Sequence, residues 1–174
     1  MPEEEAKIAA KIFQISADYS RKLVDSFSDL GLKPDRAFFI LVEFLALILH
    51  LTSRLTNPVF SQDEHKIFMN AIYRHLLAQF DAFLSQNQLA PADREQLAAY
   101  CADTLSQREK EYAQSKNFFP HKESELDKSI FWLFSQYLST VAQIEGIGLT
   151  GETMADEALK VLGKELKASL STEG

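Results

Sequence analysis

The sequence predicts an all-α fold, a single-domain bundle of about six helices whose second helix is buried and mostly apolar. Three observations carry that expectation. Glycine (6) and proline (5) are scarce in 174 residues, which leaves long uninterrupted stretches and argues against a turn-rich all-β chain. Apolar residues recur every three or four positions, the period of a helix face. Pro34, Pro58, Pro91 and Pro120 fall between the periodic segments and never inside one, as suits a residue that cannot donate a backbone hydrogen bond. With Gly31, Gly146, Gly148 and Gly151 read as further breaks, the segments run 4–30, 34–56, 61–86, 91–114, 124–145 and 151–170. No linker, internal repeat or low-complexity tract divides the chain, so residues 1–174 form one domain.

The first segment carries Ile8, Ile12, Ile15, Tyr19, Leu23, Phe27 and Leu30 as one stripe. The second is apolar nearly all round, the mark of a helix enclosed by amphipathic neighbours. Ser61 followed by Glu64 is a capping-box pattern that starts the third. Its stripe is Phe68, Ile72, Leu76, Phe80 and Phe83, flanked by Met69 and Leu84. The fourth places Leu97, Ala98, Cys101 and Leu105 together but keeps only Tyr112 beyond them, so fraying is expected from there into the link. Ser124 opens the fifth, whose broad face is Ile130, Phe131, Phe134, Tyr137, Leu138, Val141 and Ile144. The sixth carries Met154, Ala158, Val161, Leu162, Leu166 and Leu170. Short connections favour antiparallel packing in sequence order, with a longer link near 113–122 as the exception.

Charge excludes several functions. Lys plus Arg number 18 against 25 Asp plus Glu, a net charge of -7. The densest basic run, Arg108-Glu109-Lys110-Glu111, is interleaved with acids, so no stripe exists to displace counterions and nucleic acid is not expected as a partner. The single Cys101 forms no internal disulfide or Cys-x-x-Cys site and reads as a small buried apolar residue. Acidic Met1–Glu5 leads into no signal core, and a cytoplasmic location is expected. The apolar run Ala37–Leu51 is broken by Glu43 and His50 and followed by Arg54. A span needs about 20 apolar residues, so a buried helix is expected rather than a membrane one.

Catalytic motifs are missing. The chain has no Gly-rich phosphate loop, Gly-x-Ser-x-Gly elbow, His-Glu-x-x-His or paired Glu-x-x-His motif, and no cofactor or metal is expected. His65 and His75 would stand about 15 Å apart along one helix, too far to share an ion. His121 and Glu125 have metal-compatible spacing, but His121 follows Pro120 in a loop.

The strongest constellation lies on the second helix. Arg36, Glu43, His50 and Arg54 fall at roughly 0°, -20°, -40° and 0° around the axis, a narrow polar line. A buried ionised group without a partner costs several kcal/mol. Glu43 and His50, about 10.5 Å apart along the axis, cannot satisfy each other. Each therefore needs a third party, and Glu43 is expected to be buried and paired from outside its helix. The line is either a solvent strip or internal polar pairing, or else the wall of a cleft that binds a small molecule or a partner. Phe118-Phe119-Pro120 sits in the long link, where two adjacent Phe either plug the bundle or anchor another chain. The leading expectation is a non-enzymatic interaction protein that self-associates as a homo-oligomer or binds another protein. The alternative is a small-molecule-binding helical domain with a polar-lined pocket beside the second helix.

Overall fold

The computed structural model describes residues 2–118 and 129–171. Among them are six α-helices: α1 (Pro2–Phe27), α2 (Ala37–Thr56), α3 (Gln62–Gln86), α4 (Pro91–Ala113), α5 (Ile130–Ala142) and α6 (Ile147–Leu170). Short 3-10 turns, Ser28–Leu30 and Pro34–Arg36, join α1 to α2. The chain leaves α1 through Gly31, whose φ of 95° is left-handed, and the Leu32 N–H returns to the Phe27 carbonyl at 3.2 Å. The capping box of α3 forms as the spacing implies. Ser61 Oγ accepts from the Glu64 N–H, and Glu64 Oε2 accepts from the Ser61 N–H at 3.0 Å.

Helix α2 is the core. Every residue from Ile40 to Thr52 is buried, and each of the other five helices packs against it. By length and composition it could cross a membrane; here the bundle encloses it. Around it, α1 lies against α3 and α6, α3 against α4, and α5 against α6. Helix α3 runs antiparallel to α2, since Phe38 meets Phe83 at one end and Thr56 meets His65 at the other. Helix α4 runs parallel to α2, because Phe39 meets Tyr100 and Arg54 meets Tyr112.

Three sequence expectations are corrected. Helix α4 does not fray after Leu105 but continues to Ala113, with Tyr112 completely buried. Its anchors there are polar, so an apolar periodicity does not register them. Helix α5 starts at Ile130, not Ser124, which lies outside the described residues. Ser129 is its N-cap, accepting from the Trp132 N–H at 3.1 Å, while the carbonyls of Asn117 and Phe118 accept from the Ile130 and Phe131 N–H groups. Helix α5 also stops at Ala142, where Gln143 turns left-handed, so Ile144 lies beyond it. Finally, Gly148 and Gly151 do not break α6; they lie inside it, and only Gly146, with φ 81°, precedes it. A Cβ at 148 would stand 2.7 Å from the Ser135 carbonyl oxygen, and one at 151 would overlap the Leu138 side chain. These glycines let α5 and α6 touch.

Candidate functional site

Glu43 is fully buried, and its partner comes from outside α2 as expected. Arg108 of α4 grips both carboxylate oxygens, Nε to Oε2 and Nη2 to Oε1, each at 2.9 Å. Arg108 Nη1 also reaches Glu111 at 3.0 Å, and the guanidinium lies 3.5 Å over the Tyr137 ring of α5. Tyr137 closes the cluster by donating its hydroxyl to Glu111 at 2.5 Å. These side chains bridge α4 and α5. Burial pushes the Glu43 carboxyl up, against the pull of Arg108. Burial also works against the Arg108 charge, but the bonds and attraction of Glu43 outweigh it and raise that guanidinium further. The fork-to-fork geometry is that of a charged pair, so we take both groups as ionised. At Glu111 burial is likewise overcome, and bonds from Tyr137, Gln107 and Arg108 leave the carboxyl lowered.

His50, equally buried, is held at both ring nitrogens. Arg54 Nε donates to His50 Nε2 at 2.9 Å, and His50 Nδ1 meets Glu109 Oε2 at 2.9 Å. A guanidinium only donates, so Nε2 must be the accepting nitrogen; the proton sits on Nδ1 and points to Glu109. The remaining guanidinium nitrogens of Arg54 donate to the carbonyls of Tyr112 (3.0 Å), Lys116 (3.4 Å) and Ser115, capping the end of α4. A carboxylate–imidazole dyad of this kind can orient a base for catalysis, but here Arg54 occupies the nitrogen that would take the proton. Arg36 stands apart, donating from Nη2 to Gln143 at 3.1 Å beyond α5.

Three of the four residues on the polar line therefore converge on α4. The sequence does not mark Arg108, Glu109 and Glu111 as their partners, because the run falls where the apolar period fails and fraying is expected, and it marks Tyr137 only as core. A signal was present. Cys101, Leu105, Arg108, Glu109 and Tyr112 continue one helical face, so the stripe changes chemistry without ending. Of the aromatic pair in the link, Phe118 is half-buried and stacks on Phe131, ring centroids 6.2 Å apart, which favours the plug; Phe119, Pro120 and His121 lie outside the described residues. Cys101 is buried, and that burial pushes its thiol up to about 12, which keeps it inert. Among the described residues, no three His, Cys, Asp or Glu side chains converge to hold a metal.

Two open features lie along α2. A cleft of about 360 Å³ lies between α2, α3 and α4. Its floor is Leu49, Met69, Tyr73 and Leu105, and its rim is Ser53, Asn70, Ser106, Glu109 and Lys110. Neither Glu43 nor His50 lines it, but Glu109 belongs to both the cleft and the network. A shallow trough of about 530 Å³ at the other end of α2 has Phe38, Phe39, Leu89, Leu97 and Tyr100 along it, with Asp35 and Asp93 at its edge. The fold and site define an all-α bundle built around one enclosed helix and a buried ionic face. The chain matches no protein family, no curated protein and no solved structure.

Proposed function

We propose that the protein is a non-enzymatic helical domain that binds a small molecule in the cleft beside α2. The observation that carries this reading is Glu109: a carboxylate held in place by a buried histidine at the rim of a cleft with an apolar floor. An apolar pocket with a few fixed polar groups is the usual form of a ligand site, and a volume near 360 Å³ suits a compact ligand. The polar line of α2 acts one step behind the cleft by orienting Glu109. It offers no free base or nucleophile, which is why binding fits better than catalysis.

The test is a fragment screen read on methionine methyl resonances. Met69 lines the cleft, while Met154 lies on α6 and serves as the internal control. Ligands should shift Met69 alone, and Ser106→Trp, which fills the cleft from its rim, should abolish the shifts. A diverse set that leaves Met69 unmoved, or that binds Ser106→Trp equally well, would overturn the reading.

A second reading, as an interaction protein, rests on the trough. Its half-buried aromatics are edged by Asp35 and Asp93, both exposed. That chemistry fits a basic amphipathic segment of another protein better than a second copy of this chain, whose own acidic edge would be repelled. Replacing both Asp35 and Asp93 by Lys should weaken binding of a basic amphipathic peptide at least tenfold; unchanged binding would remove this reading.

A further inference from the structure

The charges of the network behind the cleft do not balance, with Glu43, Glu109 and Glu111 against Arg54 and Arg108, and the imbalance points to the class of ligand. Glu43 and Glu111 share the Arg108 cation. Arg54 is answered by three carbonyls at the carboxyl end of α4, where the helix dipole is negative. His50 accepts from Arg54 at Nε2, so the ring that binds Glu109 is neutral. Glu109 is then the one carboxylate of the network with no cation against it among the described residues. Lys110 lines the same cleft, but it is exposed and no ion pair joins it to Glu109. Nor is Glu109 a free surface acid. Its side chain is 44% exposed, whereas the histidine that holds it is 3% exposed, and Arg54 locks that ring in turn.

A fixed, uncompensated carboxylate beside an apolar floor is a cation site with a place for an organic body. We propose that the cleft binds a small organic ammonium, an amine whose apolar or aromatic part lies over Leu49, Met69 and Leu105 while its nitrogen pairs with Glu109. This deepens the small-molecule reading and rests on it. Lys110 sits on a flexible stem and moves to solvent when the amine is seated.

Three probes of one shape separate the possibilities: 2-phenylethylamine, neutral 2-phenylethanol and anionic phenylacetate. Each is titrated into the intact chain and followed at the Met69 methyl, with Met154 as control. The amine should bind at least tenfold more tightly than the alcohol, and phenylacetate more weakly than either. Glu109→Gln should erase the preference, since a glutamine oxygen still accepts from His50 and leaves the network standing. If that variant does not fold, salt supplies the second measurement: raising it from 0.05 to 1 M should bring the amine close to the alcohol. Equal binding of amine and alcohol at Met69 would overturn the ammonium class and leave the cleft reading intact. A preference for phenylacetate would do the same and make Lys110 the charge that matters. No response at Met69 to any of the three would overturn both.

Discussion

Two helix contacts in the bundle, α5 with α6 and α2 with α4, are made by opposite means. At the α5–α6 contact, side chains have been removed: Gly148 comes onto Ser135 and Ser139 and Gly151 onto Leu138, so the contact is close and uncharged. On the α4 side charged groups have been added, and Arg108, Glu43, Glu111 and Tyr137 fill the space between helices. Close packing is forgiving of chemistry and intolerant of volume. A buried ion pair is the reverse, since removing either half strands the other in a poorly solvated site.

The largest break in that contrast should come from Arg108→Met, which leaves Glu43 buried without its cation. It should cost about 3–5 kcal/mol in urea unfolding. Combining it with Glu43→Leu should return most of that loss, because an apolar pair needs no desolvation; a double variant no better than the single would show that the face depends on charge itself. Gly151→Val tests the other side, where overpacking against Leu138 should cost about 1–3 kcal/mol, read from the same unfolding midpoint. Arg54→Ala removes the cap on α4 and should cost about 1 kcal/mol. Hydrogen exchange should then rise first at the amides of Ser115 to Phe118, with α5–α6 protection unchanged.

Acid offers the gentlest discrimination. The Glu111 carboxyl is lowered in the folded protein, so it contributes stability that is present above its ordinary value near 4.5. That contribution is lost as pH falls through the lowered value. Burial acts oppositely on Glu43, whose carboxyl is raised: its contribution is present at low pH and lost as pH rises through the raised value, so the acid loss comes from Glu111. Below pH 4 the last two turns of α4 should therefore lose exchange protection before the α5–α6 contact, which holds no acid–base pair in its glycine face. Simultaneous loss on both sides would mean the bundle opens as one unit and the contrast has no dynamic consequence.

Much of this protein is determined by its sequence alone. The helical class, the enclosed α2 and the capping box at Ser61 follow from local rules, because a helix's period, its apolar faces and its caps depend on residues within a turn or two. The same reasoning required that Glu43 be paired from another helix, since His50 stands too far along the axis. Only the tertiary structure decided which group answers. Arg108 lies 65 positions away in sequence, and its reach depends on α4 lying parallel to α2. Gly148 and Gly151 carry the same lesson: glycine weakens a helix in isolation, and what makes it right here is a neighbour's Ser135 and Leu138, which no local pattern contains. The cleft is likewise a product of three helices meeting. Its carboxylate, Glu109, is an ordinary surface acid in the sequence until His50 and Arg54 are folded against it.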